Sequence, residues 1–258
     1  MEIVKLTPTN DPYDEKHPYL VTAIKPAAKV ESRVNIFIND KYCFSLEIPQ
    51  VVDLHLKVGR RLTVKELNDC RHASEFGKLY HHALEYALTR PHSVKEVYDH
   101  LRNRRTRREI LNQQAVKNRE KTEEEKKRYN LNTKEFPLYT NQDIEAVINR
   151  LTEKGYLSDE KFAAFFVENR NYKKGISKKR IILDLRKKGI SQDIIEKAFA
   201  SSERTDSEEI KKIIAKKSKK YSSEQLISYL VRQGFDYQQS KDAVLEMDLQ
   251  NSGQNLPW

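Results

Sequence analysis

Apolar and polar residues alternate with a period of two from Leu20 onward, where Leu20–Lys25 forms one short strand candidate. Arg33–Ile38 and Lys41–Leu46 repeat the pattern on either side of Asn39-Asp40, a dipeptide that tolerates positive φ and suits a two-residue hairpin turn. A short helix is expected over Pro49–His55, with Pro49 in the first turn, where its missing N–H costs nothing. Thr63 and Glu66 have the spacing of a capping box and open another helix. Residues 20–72 are therefore expected to form a small α+β module. The preceding residues 1–19 hold Pro8, Pro12 and Pro18 without periodicity, which predicts a poorly ordered tail.

From Ser74 the period becomes helical and the pattern repeats. Ser93–Val97–Leu101, Ser177–Ile181–Leu185 and Ser222–Leu226–Leu230 each place a Ser N-cap before an i, i+4, i+8 apolar stripe. Gly189 and Gly234 follow the last two leucines by four residues and supply left-handed stops, trailed by Ile190 and Phe235. Each of these helices is flanked by two others: Glu75–Leu88 and Asp143–Leu151, Asp159–Asn171 and Gln192–Phe199, Ser207–Tyr221 and Gln238–Met247. The expected fold class is mainly α: three tandem three-helix repeats in an elongated curved array, preceded by the small α+β module with its β-hairpin. The repeats span 73–157, 158–202 and 203–250, with a tail at 251–258. The first departs from the others, because Asn103-Arg104-Arg105 stands where a glycine stop belongs and a charged segment runs over about 104–139. Its low apolarity predicts a solvated helix or a disordered insertion.

Composition narrows the function classes. The 258 residues carry 48 Lys plus Arg against 38 Asp plus Glu, a formal net charge of +10, so acidic partners or phosphates are favoured. No run approaches the roughly 18 apolar residues of a membrane span, and the first ten residues lack the basic head and apolar stretch of a signal peptide. Two cysteines, Cys43 and Cys70, cannot build a disulfide framework, which leads us to expect a reduced, cytoplasmic protein. Neither a phosphate-binding glycine loop nor a metalloprotease or nucleophile-elbow motif occurs, so no catalytic residue, cofactor or enzyme activity is expected. Cys70, His72, His81 and His82 lack metal-ligand spacing, and adjacent histidines on a helix point about 100° apart, so no metal site is expected.

The run Gly155-Tyr156-Leu157-Ser158-Asp159-Glu160-Lys161-Phe162-Ala163-Ala164-Phe165-Phe166, followed by Asn169-Arg170, Lys174-Gly175-Ile176-Ser177-Lys178-Lys179-Arg180-Ile181 and Leu185-Arg186-Lys187-Lys188-Gly189-Ile190, resembles the signature of the RecX regulatory proteins. Thr89-Arg90-Pro91-His92-Ser93-Val94-Lys95-Glu96-Val97 resembles the same family. The likeness covers about Ser74 to Met247, interrupted by the charged segment, and the N-terminal module is similar to one in longer members. The resemblance implies a non-catalytic regulator that docks in the groove of the RecA–DNA filament and inhibits strand exchange, ATP hydrolysis and co-protease activity in DNA repair and the SOS response.

The residues themselves offer candidate contact surfaces. On the helix from Ser177, Ile181, Ile182 and Leu185 share one arc while Lys179, Arg180, Arg186 and Lys187 occupy the other, with Leu183 among them expected to pack against a neighbouring unit. The next helix sets Ile210, Ile213, Ile214 and Tyr221 against Lys212, Lys216 and Lys219, and Lys173 and Lys174 lie in a loop. Such a face is suited to DNA phosphates or an acidic protein groove, or is merely a solvated surface. Phe162, Phe165 and Phe166 are expected in the core, and Tyr172 is the candidate for an exposed ring. Asp159, Glu160 and Asp193 read as helix-start carboxylates complementing the dipole. The partners expected are therefore a RecA filament and single- or double-stranded DNA, with no membrane and a monomeric chain. The alternatives are a stand-alone nucleic-acid binder with helix-turn-helix-like units and, remotely, a nuclease using paired acids.

Overall fold

The computed structural model describes residues 19–28, 30–129 and 137–253. The expected tail over residues 1–18, residues 130–136 of the charged segment and residues 254–258 lie outside the described residues. The chain is mainly helical behind a small sheet. Two compact units divide it: Met1–Tyr86 with Leu101–Arg150, and Ala87–His100 with Leu151–Trp258.

In the first unit, β1 (Tyr19–Pro26), β2 (Arg33–Ile38), β3 (Lys41–Glu47) and β4 (Arg61–Leu62) form one antiparallel sheet in the order β3-β2-β1-β4. Tyr19, placed by the sequence in the tail, opens β1 and pairs with Leu62. Asn39 and Asp40 turn the hairpin with φ of 48° and 64°, as their chemistry predicts. Val21, Ile36, Phe44 and Leu46 pack beneath it with Leu62 and Leu67. Helix α1 (Ile48–Asp53) carries its proline in the first turn. The capping box of Thr63 and Glu66 is present, with Glu66 N–H donating to Thr63 Oγ1 at 3.2 Å and Thr63 N–H to Glu66 Oε2 at 2.8 Å.

The helix it opens, α2 (Val64–Thr89), runs unbroken through Glu75–Leu88, where the sequence suggested a separate helix. No proline interrupts that span, and Gly77 sits where a methyl group would come within 3.0 Å of Gln50 Oε1. Beneath that approach the buried Arg33 donates to the Ser45 carbonyl at 2.6 Å, which also accepts from Ser74 Oγ at 2.6 Å. Helix α3 (Val94–Arg119) continues through Asn103-Arg104-Arg105, since without a glycine stop nothing ends it there. The charged segment is therefore largely helical, extended by α4 (Glu123–Arg128), and it is not simply solvated. Ala115 is buried, Arg108 donates to the Pro137 carbonyl at 2.7 Å, and the buried Tyr139 donates its hydroxyl to the Leu101 carbonyl at 3.1 Å. Helix α5 (Asn141–Glu153) follows, burying Ile144, Val147 and Ile148.

The second unit holds the start of α3 and the helices α6 (Asp159–Asn169), α7 (Lys178–Lys187), α8 (Gln192–Ala200), α9 (Asp206–Lys217), α10 (Ser223–Arg232) and α11 (Tyr237–Gly253). Phe162, Phe166, Val167, Ile181, Leu185 and Ile195 centre one core cluster, and Ile210, Ile213, Leu226, Leu230 and Val244 another. Phe165, expected with its neighbours in the core, is only half-buried. Helix α9 ends at Lys217, short of Tyr221, and α11 runs on to Gly253, past the expected start of the tail.

The serines do more than the sequence pattern asks of them. Ser177 Oγ accepts the Arg180 N–H at 3.3 Å as the N-cap of α7 and donates to the Gln233 carbonyl at the end of α10 at 2.7 Å. Ser93 does the same for α3, accepting from Glu96 N–H at 3.1 Å and donating to the Lys188 carbonyl at the end of α7 at 2.9 Å. Beside each serine the next backbone N–H donates to an aspartate opening another helix, Val94 to Asp159 at 2.8 Å and Lys178 to Asp206 at 2.7 Å. Burial raises the pKa of both carboxyls, and the N–H bonds offset part of that rise. Gly234 (φ +94°) completes the second seam, because a methyl there would meet Ser177 Oγ at 2.9 Å. Ser222, the N-cap of α10, accepts from Gln225 N–H at 3.4 Å.

Ser177→Ala removes a cap together with the part-buried bond to the Gln233 carbonyl, so it should cost about 2 kcal/mol, against about 1 kcal/mol for Ser222→Ala. Urea unfolding of both variants measures this; equal losses would show that the seam contributes nothing beyond capping.

Candidate partner-binding surface

Helix α7 is held by Ser177 at its start and by Gly189 (φ +82°) just past its end. Ile181 and Leu185 are buried. That orientation leaves Lys179, Arg180, Arg186 and Lys187 exposed together on the opposite arc. Arg180 lies 3.9 Å from Asp184, whose other oxygen takes Arg170 at 3.1 Å. Arg186 donates to Gln192 Oε1 at 2.7 Å. Lys179 and Lys187 have no ionic partner among the described residues, so the full charge of each faces solvent. Leu183 does not pack against a neighbouring unit as expected. It is 42% exposed, because the seam directs Ile181 and Leu185 inward and their opposite face outward.

A second group of cations gathers where the turn after α6 meets α9. Asn171 (φ 51°) and Gly175 (φ 81°) shape the turn. A methyl at Gly175 would approach the Glu209 carbonyl to 2.7 Å, so only glycine fits this close passage. The Ile176 N–H donates to Glu209 Oε2 at 3.0 Å, and Lys216 Nζ donates to the Lys173 carbonyl. Lys212 Nζ sits 4.5 Å from the centre of the Tyr172 ring, which is 61% exposed as the sequence suggested. Lys173 and Lys174 are exposed in the turn. Lys219 stands in the turn beyond α9 rather than on that helix's polar face, because α9 ends two residues earlier.

Two carboxylates with little exposure already pair several of the cations. Glu209 is 1% exposed and takes Arg204 at 2.9 Å and Lys212 at 2.7 Å. Burial opposes its ionisation, but the Arg204, Lys212 and Ile176 hydrogen bonds outweigh it and lower the pKa. Lys188, at the end of α7, turns inward to Glu96. Burial opposes ionisation there too, and hydrogen bonds from Lys188, Arg90 and the Ser93 N–H hold the Glu96 carboxyl down at about 2. Arg170, Lys178 (4.8 Å from the Phe199 ring centre) and Lys217 (4.8 Å from that of Tyr229) join the positive surface beyond the cations that the helical arcs pick out. Asp159 serves another helix, whereas Glu160 and Asp193 bond Ser158 and Ser191 beside their own helix starts. His72 pairs with Asp143 at 2.8 Å and His81 with Glu85 at 3.2 Å, and burial lifts the Cys70 thiol to about 11. Among the described residues no helix is long and apolar enough to cross a membrane.

Residues 19–63 match the family model for the regulatory protein RecX N-terminal domain, and residues 158–198 match that for the RecX second three-helix domain. The chain is 28% identical over 239 residues to the regulatory protein RecX of Bacillus subtilis (strain 168), covering 90% of this chain and 78% of that one. Against the regulatory protein RecX of Listeria monocytogenes serotype 4a (strain HCC23) it is 26% identical over 234 residues, or 88% and 75% of the two chains. A crystal structure of regulatory protein RecX superposes with a TM-score of 0.59 at 17% identity, over 86% of this chain and 96% of that one, a likeness of fold.

The lowered Glu96 carboxyl stabilises the fold above its unfolded pKa near 4.5, and that contribution is lost as pH falls toward about 2. The parent should exceed Glu96→Gln in unfolding free energy by on the order of 3 kcal/mol above about pH 5, with about half of that gone by pH 3. Urea titrations across this range test it, and a pH-independent difference would show that the pair with Lys188 does not hold the charge.

Proposed function

We propose that this chain, which belongs to the RecX family of regulatory proteins, binds the RecA–DNA filament and slows its ATP hydrolysis, strand exchange and co-protease activity. The observation that carries the reading is the arc of Lys179, Arg180, Arg186 and Lys187, four cations on one exposed face of a helix whose opposite face is locked into a core. Long-range attraction of such a face to an acidic or phosphate-lined surface raises the rate of encounter and fixes orientation. A protein bound across neighbouring protomers changes a filament's behaviour only by binding one of its arrangements more tightly than another. The chain acts here as a ligand of the filament rather than as an enzyme.

The cluster of Tyr172, Lys173, Lys174, Lys212 and Lys216 supports DNA phosphates as the second component of the contact, and Lys219 extends the positive charge nearby in sequence. The same cluster favours the stand-alone nucleic-acid binder as a second reading. The two differ in what they require. A stand-alone binder acts identically with and without RecA and loses affinity steeply with salt.

A titration of RecA's DNA-dependent ATPase against the full chain separates them. Inhibition is expected at concentrations below those at which the chain coats bare DNA, and an unchanged ATPase at several-fold excess would reject filament regulation. Reversing Lys179, Arg180, Arg186 and Lys187 to Glu should abolish the effect with helicity intact by circular dichroism, and retained inhibition would show that the arc is only solvated.

A further inference from the structure

Leu183 stands at the centre of the exposed arc of α7. Lys179 and Arg180 precede it by four and three residues and Arg186 and Lys187 follow by three and four, which on a helix brings all four around it. The leucine belongs to no core cluster among the described residues, and nearly half of it is in water. A surface built only to meet phosphates gains nothing from an isobutyl group, since ionic contacts and N–H donors do that work. A protein partner does gain, because an apolar anchor excluded from water inside a charged rim adds affinity that charge alone does not.

A cleft of about 370 Å³ lies between α7, which carries the arc, and α8. Ile182, Ile195, Phe199 and Ala200 line it together with Lys178, Gln192 and Glu196. The hydrogen bond from Arg186 to Gln192 joins the basic arc to this cleft. The surface thus offers a knob and a hole side by side, with cations between and around them.

We propose that α7 and α8 form a protein-docking surface whose occupant is an acidic segment of a partner protein, with Leu183 entering an apolar socket on that partner and the cleft receiving one of its apolar side chains. The charge of the arc selects carboxylates on the partner's rim, and the knob and hole fix the register in which it docks. This rests on the reading of the α7 arc as the filament-facing surface and adds that the contact made there is to protein rather than to nucleic acid.

The test measures binding of the full chain to RecA–single-stranded-DNA filaments and, at the same ionic strength, to a bare oligo-dT strand. Leu183→Gln should weaken filament binding by about tenfold or more while leaving oligo-dT affinity unchanged, and Leu183→Met should stay within about twofold of the parent. Ala200→Phe, which fills the cleft from an exposed position and leaves Leu183 in place, should weaken filament binding in the same selective way. Filament affinity unchanged in Leu183→Gln overturns the proposal, and so does an equal loss on oligo-dT, which would mark a nucleic-acid surface. A parent chain that binds filament no more tightly than bare strand overturns this proposal and the regulatory reading together. A neutral Leu183→Gln alongside a charge-reversed α7 that no longer binds filament removes the knob and socket alone.

Discussion

A hydroxyl group that serves two helices at once is the constraint on which the helical unit depends. Serine carries one hydrogen and two lone pairs, so it can accept the orphan N–H of its own helix while giving its hydrogen to another helix's last carbonyl. Ser93 and Ser177 both do this, at positions fully withdrawn from solvent. The two ends satisfied in each case are ends that would otherwise need water. The glycine that stops α10 brings its backbone against Ser177 Oγ, and the aspartates opening α6 and α9 accept the next N–H along. Once the start of α7 is tied to the end of α10, and its end to the start of α3, the helix has no freedom to rotate. Its outward face is decided by the seams before any partner is considered.

The same packing sorts the charges. Glu96 and Glu209 are buried or nearly so and each neutralises cations inside the fold, Lys188 with Arg90 at one and Arg204 with Lys212 at the other. Each acid is outnumbered by the cations it pairs with, so both clusters keep a positive surplus in a chain of net charge +10. On the exposed surface the cations are not equivalent. Lys179 and Lys187 face solvent without an ionic partner among the described residues, whereas Arg180, Arg186, Lys212 and Lys216 are already held by Asp184, Gln192, Glu209 and the Lys173 carbonyl. Held side chains have less entropy to lose on contact, and free ones have more charge to offer.

Much of this was legible in the residues, and the boundary of legibility has a physical basis. The hairpin at Asn39-Asp40, the capping box at Thr63 and the Ser-to-Gly spacing of α7 and α10 depend on local backbone chemistry, which a sequence states directly. The arc of Lys179, Arg180, Arg186 and Lys187 followed from helical period alone. What escaped was non-local. The inter-helix bonds of Ser93 and Ser177 look like ordinary caps until the second helix is in place. Asp159 reads as a dipole carboxylate although its oxygen serves Val94, 65 residues away. The unbroken α2 and the long α3 show the other limit, since a missing stop signal is weaker evidence than a present one. Leu183 failed for a related reason: a leucine suggests burial on its own chemistry, and only the fixed rotation of α7 shows that no neighbour covers it.

That rotation divides one ten-residue helix into two sets of positions with separate duties. Ser177, Ile181, Leu185 and Gly189 recur every four residues and bind α7 into the unit, while Lys179, Arg180, Leu183, Arg186 and Lys187 lie exposed on the other face. Changes in the first set act on stability through cavities, lost caps and strained backbone. Changes in the second act on what the helix can hold, with little effect on whether it forms. Because the sets interleave by single residues, neighbouring substitutions on α7 should give opposite phenotypes. A rigid helix with interleaved duties also keeps its outward side chains in one arrangement before the partner arrives, so less ordering remains to be done on binding.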